Sequence, residues 1–178
     1  MNPTITQRKF FWSWQDEQEE AWLHEMSLRG LHLVKLQGGA YHFEQSEPQH
    51  AVYRLDYRDS SANRQDYEQL FADAGWHYIG SMGGWEYFRK AAAPGSMPEI
   101  YTDADSKVQK YRRLQWFFVL LLPFLWIAFP NFDFDQTSLF RLAVNLFHLI
   151  GFCGLAALLG INLLKLEQRI QQLKRLAL

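Results

Sequence analysis

Two regimes of hydrophobic patterning divide the chain. Toward the C-terminus, residues 114–129 (LQWFFVLLLPFLWIAF) and 142–164 (LAVNLFHLIGFCGLAALLGINLL) run on without a formal charge. Crossing a hydrocarbon core of ~30 Å takes about 20 helical residues. The pattern therefore predicts a two-helix transmembrane hairpin over residues 107–165, with spans at about 113–131 and 141–164. The first run is short, but Arg112 and Arg113 can reach the headgroups and residues 130–132 can lengthen its far end. Pro123 falls inside it, which a membrane helix tolerates better than a soluble one. Leu163, Leu166, Ile170, Leu173 and Ala177 continue at spacings of three and four, predicting an amphipathic tail over 166–178. Gly151, Gly154, Ala156, Ala157 and Gly160 form a small-residue face in the second span, suited to packing on the first span or on a second copy.

Residues 1–92 pattern differently, and they do so twice. GLHLVKLQGGAYHF at 30–43 and GWHYIGSMGGWEYF at 75–88 are identical, at an offset of 45, at Gly30/Gly75, His32/His77, Gly38/Gly83, Gly39/Gly84 and Phe43/Phe88. Each segment reads as a β-hairpin, with aromatic and apolar strands flanking a Gly-Gly turn. A helix precedes each hairpin: residues 16–29, opened by an acidic run and carrying Trp22, Leu23 and Met26, and residues 63–74, carrying Tyr67, Leu70 and Phe71. Both stop at a glycine, Gly30 or Gly75. A strand is expected ahead of each helix, at 9–14 and at 51–58, where Tyr53, Leu55 and Tyr57 alternate with Arg54, Asp56 and Arg58. The expected fold class is α+β: a duplicated β-α-β-β head (copies at about 9–45 and 51–90) with two helices on one face of a mostly antiparallel sheet, then a linker at 93–106 and the transmembrane hairpin.

Charge sharpens this division. The mean hydropathy of -0.26 and the net charge of -1 conceal two unlike halves. Residues 1–104 hold 9 Lys+Arg against 15 Asp+Glu, and residues 105–178 hold 9 against 4. An acidic head argues against nucleic acid as a partner, because phosphate contacts need clustered Lys and Arg. Lys107, Lys110, Arg112 and Arg113 precede the first span, and Lys165, Arg169, Lys174 and Arg175 follow the second. The connecting loop at 130–140 carries only Asp133 and Asp135. Basic flanks mark the cytoplasmic side, so the expectation is a multi-pass protein of the plasma membrane with both termini cytoplasmic. The lone Cys153 calls for no oxidising compartment, and residues 1–15 show no cleavable signal pattern.

Candidate chemistry is sparse. His24, His32, His42, His50 and His77 are scattered, without a Cys pair or an HExxH motif, so no metal site is assigned. The serines lack a G-x-S-x-G setting, and the Gly-Gly pairs lack the Lys-Ser/Thr of a phosphate loop. Glu19 and Glu20 are neighbours on a helix and point apart, unlike a catalytic carboxylate dyad. No catalytic residue and no cofactor are assigned. The aromatic content exceeds the needs of one small two-layer core. Trp12, Trp14, Trp76, Tyr78, Trp85 and Tyr87 are the candidate ligand-binding residues, together with His32 and His77, which a pseudo-twofold axis could bring to one cleft. Core, pocket and partner-binding patch all stay open for them, and carboxylates such as Glu20 or Glu86 beside a pocket would suit a cation.

The order of elements resembles the duplicated strand–helix–strand–strand modules of gyrase-inhibitor-like (GyrI-like) domains, two-layer ferredoxin-like folds whose members bind small amphipathic or cationic molecules between their halves. More specifically, EEAWLHEMSLRGLHLVKLQGGAYHFEQSEP, VYRLDY and DYEQLFADAGWHYIGSMGGWEYFRK, within about residues 8–90, look like the bacterial family catalogued as domain of unknown function 2812. Paired C-terminal spans are common in that family. Its members often lie near PadR-type transcriptional regulators, which implies a regulatory or sensing setting. The expectation is a membrane-tethered, non-enzymatic sensing or interaction module. Its partners are the lipid bilayer and a small amphipathic or cationic ligand or a cytoplasmic regulatory protein, with homodimer formation open. The alternative is a regulatory or assembly subunit of a membrane complex, acting through the hairpin.

Overall fold

Paired glycines set the turns. Gly38 and Gly39 have φ of 58° and 73°, and Gly83 and Gly84 have 61° and 86°, the doubly positive pattern of a tight hairpin turn. Gly30 and Gly75 each have φ 79° and end the helices before them. The computed structural model describes residues 4–57, 63–101, 104–127 and 139–176. Its elements run β1 (Thr4–Gln7), α1 (Asp16–Leu28), β2 (Leu31–Gln37), β3 (Ala40–Gln45), β4 (Ala51–Tyr57), α2 (Arg64–Asp73), β5 (His77–Met82), β6 (Trp85–Ala91), α3 (Ala104–Ile127) and α4 (Leu139–Leu176). Met1–Lys110 and Tyr111–Leu178 are two separate compact units, so the first turns of α3 belong to the head.

The head is α+β, with two antiparallel three-stranded sheets, β1-β3-β2 and β4-β6-β5, rather than the one sheet expected. β2 and β5 run close together where the sheets meet, so that a Cβ added at Gly80 would touch Leu36, but no ladder joins them. Each sheet places its third strand between the other two. The hairpin registers slip between Leu33 and Lys35 and between Tyr78 and Gly80, so the extra residues are Val34 and Ile79, again 45 apart. Leu23, Met26, Leu33, Tyr41 and Phe43 are buried in the first half. In the second, Val52, Phe71, Trp76 and Phe88 form one cluster, with the Phe71 and Phe88 rings 4.3 Å apart.

The strand expected at 9–14 lies elsewhere: β1 is Thr4–Gln7, paired with β3 from Thr4↔Glu44 to Gln7↔Tyr41. A run of consecutive aromatics has no polar–apolar alternation to mark a half-buried strand, and here the chain turns instead. Gln15 N–H donates to the Trp12 carbonyl at 2.8 Å, and Trp12 N–H donates to Gln15 Oε1 at 2.9 Å, leading the chain into α1. Asn63 caps α2 by accepting the Gln65 N–H at 3.1 Å.

In the second unit, α4 is a single helix of 38 residues, so the expected second span and most of the expected tail are one continuous element. Within it, Asn145–Arg175 is long and apolar enough to cross a membrane, and among the described residues no other helix meets that test. Of the expected first span, residues 128–131 lie outside the described residues, as does most of the connecting loop (130–138). Gln115 Nε2 donates to Glu167 Oε2 at 3.3 Å, joining α3 to α4. Leu166 and Ile170 of the tail stripe are buried. Among the described residues, an added Cβ at Gly151, Gly154 or Gly160 of the small-residue face meets no atom within 4 Å.

Candidate functional site

β4 is an edge strand, yet all its residues but Tyr57 are buried. A buried edge leaves backbone groups that need partners. Side chains supply them. His24 Nδ1 donates to the Ala51 carbonyl at 2.8 Å, and Arg54 Nη1 donates to the Tyr53 carbonyl at 3.0 Å. Leu55 N–H donates to Glu20 Oε1 at 2.8 Å, and the Leu55 carbonyl accepts from Lys110 Nζ at 3.2 Å. α1, packed along β4, brings Glu20 and His24, one helical turn apart, to this edge. The start of α3 brings Lys110.

These capping groups form a buried ionic cluster. Glu20 Oε2 accepts from Arg54 at 3.2 Å, and the other arm of Arg54 reaches Glu99 at 3.0 Å. Glu99 also holds Lys107 at 3.2 Å. Lys110 donates to Asp16 Oδ2 at 2.7 Å and stands 5.6 Å from the centre of the Trp85 ring. Beside it, Glu19 Oε1 accepts two phenols, Tyr41 at 2.7 Å and Tyr87 at 2.5 Å. Across the second sheet, Asp56 accepts from Tyr67, and Glu86 from Tyr78, both at 2.7 Å.

Burial governs the proton equilibria here. It pushes the Glu20 carboxyl up to about 7, with Asp16 adding to the shift while Lys110, Arg54 and the Leu55 N–H oppose it. Burial raises Glu19 too, against the pull of its two phenols. For Lys110, burial favours the neutral amine, but Asp16 and Glu20 outweigh it and the pKa rises, so the side chain stays an ammonium. Burial and Glu19 both hold Tyr41 and Tyr87 protonated. The cluster thus sets the Lys110 ammonium beside one carboxyl, Glu20, brought into the neutral range.

The aromatic candidates separate into three places. Trp76, His77 and Tyr78 line an open groove of about 720 Å³ between α2 and β5, with Asp66, Glu68 and Gln69 on its helical wall. Trp12 and Trp14 stack on each other on the loop before α1, centroids 5.2 Å apart and planes 6° from parallel. Trp85 and Tyr87 are buried, one under Lys110 and the other on Glu19. His32 and His77 do not share a cleft. His32 is buried, donating to the Glu47 carbonyl at 2.9 Å with its Nδ1 3.2 Å from Ser27 Oγ, whereas His77 is exposed. The residue 45 after Ser27 is Ala72, which has no hydroxyl to hold a histidine. Glu20 and Glu86 are engaged by Arg54 and by Tyr78 and Arg64. Among the described residues no three His, Cys, Asp or Glu side chains group to hold a metal ion.

The residues unforeseen from sequence are the ionic ones: Asp16, Glu19, Arg54 and Lys110. One signal for them exists, in Arg54 and Asp56 alternating with large apolar residues on a strand whose helices also carry charges.

No curated protein and no solved structure matches the chain. A family model does match, over residues 15–122, which takes in both β-α-β-β modules from α1 onward and extends well into α3, past the stretch near residue 90 where the sequence likeness ended. The chain belongs to that family, described as protein of unknown function (DUF2812).

Proposed function

We propose that the protein is a membrane-tethered sensing or interaction module, non-enzymatic, whose head grips the root of its own membrane segment. The observation that carries this reading is Lys110. It is the last residue of the head unit, it is buried among Asp16, Glu20 and the Leu55 carbonyl, and it lies on a helix that continues to Ile127. A change in the head that loosened this ion would release the helix. The apolar stretch of α4 supports the membrane, since Phe147, Ile150 and Leu164 are large hydrophobic side chains left exposed. On this reading the two apolar runs form a hairpin, with both termini cytoplasmic on the strength of the basic flanks. The two head modules are copies of one unit, a reading supported by the matching strand orders, bulges and glycine φ values. The ligand-facing region is the Trp76–Tyr78 groove, where Asp66 suits a small cationic or amphipathic molecule, Glu68 being held by Arg64 at 2.7 Å. A link to transcriptional control belongs to the same proposal and rests on the family resemblance alone.

Native mass spectrometry of the full chain, gently extracted from its membranes, tests this reading. A small bound mass that is lost in Tyr78→Ala, with the head still folded, supports a sensor. A stoichiometric protein partner bound through the apolar helices, and no ligand, supports the second reading, a regulatory or assembly subunit.

A further inference from the structure

The loop between β1 and α1 carries aromatic surface that the head does not use. Phe10 is 74% exposed and Trp12 38% exposed. Phe10 meets Trp12 edge-on at 5.0 Å, and Trp12 stacks on Trp14. The two hydrogen bonds between Trp12 and Gln15 fix this cluster in place, so the rings are presented rather than trailing. A basic rim adjoins them. Arg8 and Lys9 are both exposed, and the Lys9 ammonium lies 5.0 Å from the Phe11 ring and 4.8 Å from the Trp22 ring. This is local cationic character in a region, residues 1–104, where acidic residues outnumber basic ones 15 to 9.

Exposed tryptophan beside lysine and arginine is the chemistry of the bilayer interface: the indole ring sits at the headgroup level with one apolar side and one wet side, and the cations pair with phosphate. The tether adds a second reason. A head fastened to a membrane helix meets the bilayer at high effective concentration, so a weak surface contact is occupied. The net acidic charge of the head is repelled by anionic lipid, whereas this loop carries the opposite charge. We propose that the Phe10–Trp14 loop is a lipid-interface anchor, inserting Phe10, Trp12 and Trp14 among phospholipid headgroups with Arg8 and Lys9 on the phosphates. This rests on the membrane reading above.

The test uses the full chain in phosphatidylcholine–phosphatidylglycerol nanodiscs, with Cys153→Ser and one nitroxide introduced at Phe10→Cys or, separately, at Leu155→Cys. Collision with oxygen and with a water-soluble nickel chelate reads depth. The anchor predicts headgroup depth at residue 10 and hydrocarbon depth at residue 155. Adding Trp12→Ala and Trp14→Ala, or Arg8→Glu and Lys9→Glu, should shift residue 10 into water. A water-exposed label at 10 with a lipid-buried label at 155 overturns the anchor and spares the membrane reading. Shielding of residue 10 from both reagents also overturns it, in favour of a protein contact. A water-exposed label at 155 overturns both.

Discussion

Lys110 and Asp16, 94 residues apart in sequence, meet at 2.7 Å inside the head. Asp16 opens α1, where a carboxylate suits the positive end of the helix dipole, and Lys110 lies in the early turns of α3. Their contact closes the head around the root of the helix that leads on to the apolar segment. Removing one member of a buried pair strands the other, which costs about 3–5 kcal/mol.

Lys110→Met is therefore expected to destabilise the head by about that amount. Pairing it with Asp16→Asn should recover part of the loss. Unfolding of the full chain in detergent, followed through the tyrosine and tryptophan signals of the head, measures the cycle. A loss in the double variant equal to the sum of the two single losses would show that the pair has no coupling.

The pH dependence has a definite sign. The Glu20 carboxyl rises from its ordinary 4.5 to about 7 on folding. A folded-state pKa above the unfolded one gives stability that is complete below about pH 4.5 and lost as pH rises through about 7. At ~1.4 kcal/mol per pKa unit the loss is about 3 kcal/mol. Glu19 shifts in the same direction and adds to the same trend. Lys110 is also raised, but its contribution is lost only as pH rises beyond about 10.5, outside this window. Glu20→Gln should keep an acceptor for the Leu55 N–H and flatten most of the decline, as stability curves at pH 5 and pH 8 would reveal.

Gly30 and Gly75 should respond unequally to alanine. Gly30 and Gly75 share φ 79°, and a Cβ in that conformation costs about 1–2 kcal/mol. At Gly75 the added atom meets only the flexible tip of Lys90, at 3.5 Å. At Gly30 it would fall 2.3 Å from the Ser46 carbonyl oxygen, a backbone atom that itself accepts no relief from a side-chain swing. Gly30→Ala should therefore lower the melting temperature clearly more than Gly75→Ala, and equal shifts would mean that the Ser46 segment yields freely.

Local chemistry made much of this fold legible. Gly-Gly pairs mark hairpins, a glycine after an amphipathic run marks a helix end, and the Tyr53-Leu55-Tyr57 alternation marks β4. What it concealed was set by distant partners. Arg54 and Asp56 alternate with apolar residues along the strand, yet both are buried, because Glu20 and Tyr67 arrive from other elements to satisfy them. β1 has Ile5 as its one strongly apolar residue, and it is a strand only because β3 offers an edge. The acidic run on α1 suited a helix N-terminus, but Asp16, Glu19 and Glu20 also face inward, toward a lysine and two tyrosines that no spacing rule connects to them. Aromatic counting mixed three environments, since burial of Trp85 and exposure of Trp12 depend on what covers each ring.

Hydrogen exchange of the full chain in lipid nanodiscs tests most directly whether the head holds the root of α3. The account predicts that amides of residues 107–110, past the unbonded first turn of α3, exchange as slowly as those in the body of α1, and that Lys110→Met releases them while the apolar stretch of α4 stays protected. Rapid exchange at 107–110 in the unsubstituted protein, or protection that Lys110→Met leaves unchanged, would contradict it.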